Sequence, residues 1–222
     1  MKRILSTKKL LPNQRLYLLN GGLSVVDANF IGIQHKAFDI NTVKANLIFT
    51  SRNGVEAFLA NPLSVTYIGS NVFCVGPNTR LFLERSGFNV IECKDDAAQL
   101  AEAIVTGYPG ESFTFFSGNL RRNDLPLVLT HAGIDFNEIQ VYETALTPHT
   151  ITAKPDGIMF FSPSAVVSYL RGNMITDESC FCIGATTAQA LKGVTDNIIL
   201  ANKPSVENVI VQVRGYYKED KY

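Results

Sequence analysis

Tyr142, Ser51, Thr79, Gly118, Asn119, Ser162, Thr186 and Thr187 are the residues of this 222-residue chain whose types and placement suit chemistry. Hydroxyls, amides and backbone N–H groups of this kind donate hydrogen bonds to carboxylate or phosphate oxygens. Their setting is duplicated. Phe49-Thr50-Ser51-Arg52-Asn53-Gly54-Val55-Glu56-Ala57-Phe58 returns in outline as Phe160-Phe161-Ser162-Pro163-Ser164-Ala165-Val166-Val167-Ser168-Tyr169. Phe73-Cys74-Val75-Gly76-Pro77-Asn78-Thr79-Arg80 returns as Phe181-Cys182-Ile183-Gly184-Ala185-Thr186-Thr187-Ala188, nearly in register. Each copy reads as an apolar strand, a turn bearing a hydroxyl residue, then a helix. That pattern puts hydroxyls and helix N-terminal N–H groups at strand ends in two halves of one protein, and two such edges facing one another would hold a large anion. A plainer reading stands beside it. Ser, Thr and Asn are preferred N-caps, each worth about 1 kcal/mol, and capping alone accounts for any single member of the set.

The most distinctive loop is Ser117-Gly118-Asn119-Leu120-Arg121-Arg122-Asn123-Asp124-Leu125-Pro126. Gly118 permits close backbone approach. Arg121 and Arg122 either clamp an acidic group or sit as solvated charges at a helix start. Cations at that end oppose the helix dipole, which favours an external anion. Tyr142, in Gln140-Val141-Tyr142-Glu143-Thr144, offers a phenol that either donates a proton to a leaving group or packs as an amphipathic ring.

Other chemistries lack their signatures. There is no GxGxxG fingerprint, no Walker motif and no GxSxG elbow. His35, His131 and His149 are scattered, and Cys74, Cys93, Cys180 and Cys182 make no zinc spacing with them. Cys74, Cys180 and Cys182 sit in strand-like runs and are expected as reduced thiols, buried as small apolar groups. No metal or cofactor is expected.

Apolar residues make up 46% of the chain and charged residues 18%, which suits globular cores. Twenty basic residues match twenty acidic ones, so no bulk field draws the protein to nucleic acid or an anionic membrane. The basic start, Met1-Lys2-Arg3, leads into no apolar run of signal-peptide length, and no stretch approaches the roughly 20 apolar residues of a membrane span. A cytoplasmic monomer is expected.

Stepwise alternation of strand-length apolar runs with helical patterns specifies an α/β protein. Strands are expected near Ile4–Ser6, Leu23–Ala28, Asn46–Thr50, Asn71–Val75, Asn89–Glu92, Ser112–Phe116, Phe136–Tyr142, Ile158–Phe161, Cys180–Ile183 and Asn197–Leu200. Helices fall between them, with Gly87 and Gly133 as C-caps. Thr144–Pro155 reads as extended linker and Tyr216–Tyr222 as a fraying tail. The second block has too few strands for a sheet of its own, so residues 1–28 must supply the missing ones. The expectation is two doubly wound, flavodoxin-like parallel-sheet domains with a cleft between them. Residues 1–29 with 146–222 form one, residues 37–139 are inserted as the other, and 30–36 with 140–145 form a two-stranded linker.

Ile48-Phe49-Thr50-Ser51, Val75-Gly76-Pro77-Asn78-Thr79, Ser117-Gly118-Asn119-Leu120-Arg121 with Leu125-Pro126, Val141-Tyr142-Glu143-Thr144, Phe160-Phe161-Ser162-Pro163-Ser164 and Ile183-Gly184-Ala185-Thr186-Thr187-Ala188 occur in an order that resembles the uroporphyrinogen-III synthase family. The N-terminal strand departs from it, ending in Ser6-Thr7-Lys8 rather than a Thr-Arg pair. The resemblance implies a lyase of tetrapyrrole and heme biosynthesis that cyclises hydroxymethylbilane, a linear tetrapyrrole with acetate and propionate arms. It implies no cofactor. It implies proton donation by Tyr142 and binding of the arms by Ser51, Gly118, Asn119, Ser162 and Thr187, with Thr79 and Thr186. Two other readings are a non-catalytic two-lobed small-anion binder and a nucleotide-dependent regulator, and the missing glycine fingerprint counts against the second.

Overall fold

The computed structural model describes residues 1–219. In chain order the elements begin with β1 (Arg3–Ser6), α1 (Pro12–Leu19), β2 (Ser24–Asp27), β3 (Ile31–His35), β4 (Asn46–Phe49) and α2 (Arg52–Leu59). They continue with β5 (Asn71–Val75), α3 (Pro77–Arg85), β6 (Asn89–Lys94), α4 (Ala97–Gly107), β7 (Ser112–Gly118), α5 (Asp124–His131) and β8 (Asp135–Leu146). The last are β9 (Gly157–Phe160), α6 (Pro163–Leu170), β10 (Ser179–Cys182), α7 (Ala185–Gln189), β11 (Ile198–Leu200) and α8 (Val206–Glu219). Two compact units result, Met1–Gly32 with Ala145–Tyr222, and Ile33–Thr144.

The first unit carries a five-stranded sheet in the order β11-β10-β9-β1-β2, its neighbours parallel. Strands β1 and β2 from the N-terminal segment complete a sheet that the later segment could not build alone. Successive side chains alternate faces, and both faces are covered. Leu5, Ile158 and Phe160 pack with Val166 and Tyr169 of α6, while Ile4, Met159 and Phe181 pack with Leu18 of α1 and Val209, Ile210 and Val213 of α8. Near-continuous apolar strands such as Gly157–Phe160 follow from burial on both faces.

The second unit carries a six-stranded sheet in the order β3-β8-β7-β4-β5-β6. The pairings from β8 to β6 are parallel. Leu47 and Phe49 face α2 and α3, where Phe49 stacks on Phe116 at 5.0 Å, while Ile48 faces Leu100, Ile104 and Leu129 of α4 and α5. Helices on both faces of each parallel sheet make both units doubly wound.

Two expectations need correction. Thr144–Leu146, the start of the expected linker Thr144–Pro155, belong to β8, which lies beside β3. The segment from Tyr216 does not fray from its start: α8 continues to Glu219 and Tyr217 is buried, its hydroxyl donating to the Asp156 carbonyl at 2.8 Å. Residues 220–222 of that expectation lie outside the described residues. Gly87 and Gly133 do take the left-handed conformation, with φ of 87° and 68°, where a C-cap needs it. Among the described residues no helix is long and apolar enough to cross a membrane.

Candidate functional site

In the second unit β8, β7 and β4 lie side by side, and their C-terminal ends bring three of the expected residues together. Tyr142 of β8 is the register partner of Gly118 at the end of β7, just past an irregularity between Ser117 and Gly118. A methyl group at Gly118 would lie 2.3 Å from Cζ of the Tyr142 ring and 2.5 Å from Cε2. Such overlap means that the ring occupies the space a side chain would take. Glycine thus lets the phenol reach across β7 to the next strand. There its Oη meets Ser51 Oγ at 3.0 Å.

Ser51 is the N-cap of α2. Its backbone is extended (φ −154°), and its Oγ accepts from the Gly54 N–H at 3.2 Å. The cap is thus real, and the hydroxyl still reaches Tyr142, so the capping and functional readings coexist at this position. Ser162 repeats the cap in the first unit, with φ −163° and Oγ accepting from the Ala165 N–H at 3.1 Å. The second repeat diverges. Gly76 precedes α3 with φ 83°, whereas Gly184 precedes α7 with φ −175°, plain extended backbone.

The loop after β7 is fastened internally. The Asn119 Oδ1 accepts from the Thr144 N–H at 2.8 Å and its Nδ2 donates to the Thr144 carbonyl at 3.4 Å, tying loop to β8. Arg121 grips Glu138 of β8 through Nε at 2.6 Å and Nη2 at 2.8 Å, and also bonds Asn123. Arg122 pairs with Asp124 at 2.7 Å. Both arginines therefore have internal acids, so the helix-dipole argument no longer calls for an external anion. Burial alone would push the Glu138 carboxyl up, but donors from Arg121 and Ser117 outweigh it and hold the group below its ordinary value.

The remaining expected residues are dispersed. Thr79 is buried in the first turn of α3. In the first unit Thr186 is exposed and Thr187 buried within α7, at the end of β10. The departing N-terminal loop offers no free hydroxyl donor at Ser6 or Thr7: Ser6 donates to the Lys8 carbonyl at 2.5 Å and Thr7 to the Met159 carbonyl at 2.8 Å. Among the described residues no three His, Cys, Asp or Glu side chains gather as a metal would require.

Sequence reading passed over Glu138. Glu138 is the register partner of Phe115, which packs toward α4 and α5, whereas Tyr142 packs with Phe116 and Val141 toward α2 and α3. The ladder shifts register between Gln140 and Tyr142, so no two-residue spacing in the sequence pointed from the phenol to Glu138.

A family model described as Uroporphyrinogen-III synthase HemD matches residues 17–210. The uroporphyrinogen-III synthase of Saccharomyces cerevisiae is 29% identical over 122 residues, spanning 47% of this chain and 44% of the yeast protein. The match thus covers less than half of that relative's length. Uroporphyrinogen-III synthetase of Helicobacter pylori superposes with a TM-score of 0.74 at 20% identity, covering 97% of this chain and 100% of its own. A mutant uroporphyrinogen III synthase of the extremely thermophilic bacterium Thermus thermophilus gives 0.70 at 10% identity over 100% of both chains. At these identities the two structures speak for the fold. The family model takes in most of the sequence, and on that ground the chain belongs to the uroporphyrinogen-III synthase family.

Proposed function

We propose that this protein cyclises hydroxymethylbilane to uroporphyrinogen III, inverting the terminal pyrrole and releasing water. The family match over residues 17–210 carries the reading. Nothing in the comparisons favours the non-catalytic binder.

The reaction begins with loss of the substrate's terminal hydroxyl, which needs a proton. Tyr142 is the proposed donor. Ser51 Oγ already accepts from the Gly54 N–H, and its own hydrogen is free to point at Tyr142 Oη. In that orientation the phenol hydrogen is left for the substrate. As the proton moves and water leaves, the growing phenolate charge is met by the Ser51 hydroxyl, itself polarised by the positive end of α2. The azafulvene left behind is stabilised by its own pyrroles. The last ring attacks through its substituted carbon to give a spiro intermediate. Fragmentation and reclosure invert that ring, and the proton shed as the ring regains aromaticity restores the phenol. A positioned acid of this kind contributes roughly 10²–10⁴-fold. Holding the chain in the inverting geometry, against spontaneous closure to isomer I, supplies the rest.

The carboxylate arms are assigned to the hydroxyls of Thr79, Ser162, Thr186 and Thr187 and to backbone N–H groups around Ser51, Gly118 and Asn119. Hydrogen bonds to ionised groups are worth about 1.5–3 kcal/mol each. Several uncharged donors then replace a basic patch, in keeping with twenty basic and twenty acidic residues. Action as a cytoplasmic monomer without a cofactor belongs to the same proposal.

The test is to supply hydroxymethylbilane to the purified chain, oxidise the product and separate the porphyrin isomers. Isomer III above the uncatalysed background is expected. Isomer I alone, formed at the uncatalysed rate, overturns the proposal.

A further inference from the structure

Cys74 of β5 and Cys93 of β6 are register partners on adjoining parallel strands. Both side chains lie on the face that α2 and α3 cover: Cys74 belongs to that core and Cys93 packs against it. Adjacent strands run about 4.8 Å apart, and disulfides span Cα separations of roughly 4.4–6.8 Å. The strand carrying Cys93 is the sheet's outer strand, so it has room to shift where an inner strand would not. Cys74 is fully buried, whereas Cys93 is partly exposed.

We propose that Cys74 and Cys93 are a redox-active dithiol, which a low-molecular-weight disulfide oxidises reversibly to a cross-strand disulfide. The exposed member reacts first. The Cys93 thiolate attacks one sulfur of the reagent, expels one thiolate and forms a mixed disulfide. Cys74 then gives up its proton and attacks the Cys93 sulfur, and the second reagent thiolate leaves. Two protein thiols are oxidised to one disulfide, and the reagent is reduced to two thiols. Burial, and next the neighbouring Cys93, push the Cys74 thiol above its ordinary value, so it enters only as the resolving partner. The Arg80 guanidinium acts in the opposite sense and favours the thiolate during that second step.

The other two cysteines supply an internal control. Cys180 and Cys182 are alternate residues on one face of β10, both fully buried, with burial pushing each thiol to about 12. No exposed sulfur begins the exchange there. This inference does not rest on the proposed cyclisation, and its test does not use activity.

The experiment treats the native full chain with excess oxidised glutathione, then quenches it in acid, alkylates it and maps its peptides. A cross-linked peptide pair containing Cys74 and Cys93 is expected, reversed by dithiothreitol, with Cys180 and Cys182 alkylated. In Cys93→Ser the cross-link disappears and Cys74 carries no glutathione. The idea is overturned by an unreacted protein or by a lasting glutathione adduct on Cys93 beside alkylated Cys74. Preferential oxidation of Cys180 and Cys182, or glutathione on Cys74 in Cys93→Ser, overturns it equally.

Discussion

Gly118→Ala places a methyl group where the Tyr142 ring now lies. The new Cβ would sit 2.3, 2.5 and 2.8 Å from ring carbons Cζ, Cε2 and Cε1. Carbon atoms settle at about 3.5–4.0 Å, so the ring must retreat by more than about 1 Å. The bond to Ser51 starts at 3.0 Å and does not survive such a move. The obstacle is a side chain with two rotatable torsions and not backbone, so the chain still folds, losing about 1–2 kcal/mol to overpacking. A misplacement of about 1 Å in a catalytic group costs on the order of 10²-fold, which is the loss expected in the rate of isomer-III formation. The assay is turnover of hydroxymethylbilane at saturating substrate, with thermal melts as the control for folding. In a Tyr142→Phe background, Gly118→Ala should cost almost nothing further, because the phenol through which it acts is gone. Full activity in Gly118→Ala, or a second loss of about 100-fold in the phenylalanine background, would refute the claim that glycine serves the tyrosine.

Ser51→Ala removes a cap and a phenol partner together. It should cost about 0.5–2 kcal/mol in stability, read by urea melts, and lower the rate more than Ser51→Thr, which can still cap. Glu138→Gln should destabilise the protein at neutral pH, where Arg121 and Ser117 hold the wild-type carboxylate. A depressed folded value means this contribution is present above the ordinary value of 4.5 and is lost as pH falls through the lower folded value. The stability gap between wild type and variant should therefore close in acid, and a gap that widens there would contradict the pairing. Gly157→Ala should destabilise by about 1–3 kcal/mol, since its Cβ would come 2.6 Å from the Tyr217 hydroxyl that bonds Asp156. Differential scanning calorimetry checks it, and an unchanged midpoint would mean that α8 moves freely.

The parallel sheets were legible because both of their faces are buried, which writes strands such as Asn46–Phe49 and Ser179–Cys182 as apolar runs between helical patterns. Counting strands also showed that residues 1–28 had to complete the later sheet, as β1 and β2 do. The pairing of 30–36 with 140–145 was expected, and β3 and β8 do lie side by side. What was not legible is that this pair continues the second unit's sheet and that β8 runs unbroken from Asp135 to Leu146, because Thr144-Ala145-Leu146 has weak strand character. The end of α8 was missed because Tyr216-Tyr217-Lys218 reads as a polar tail, while the Tyr217 ring is needed over Gly157 and Phe181. At the site, the residue types were legible and their contacts were not. Gly118 and Tyr142 lie on neighbouring strands and Ser51 follows the next one, and only sheet order reveals that a missing side chain at one clears the path between the other two. Asn119 shows the reverse: its amide looked available for a ligand, yet both of its ends engage Thr144.

The account turns on the phenol that crosses Gly118 to reach Ser51. Its most direct test is the rate of isomer-III formation by Tyr142→Phe at saturating hydroxymethylbilane, with substrate binding measured in parallel. A fall of about 10²–10⁴-fold with binding retained is the predicted result. Wild-type turnover by the phenylalanine variant would contradict it, and the proton for the departing hydroxyl would then have to come from elsewhere.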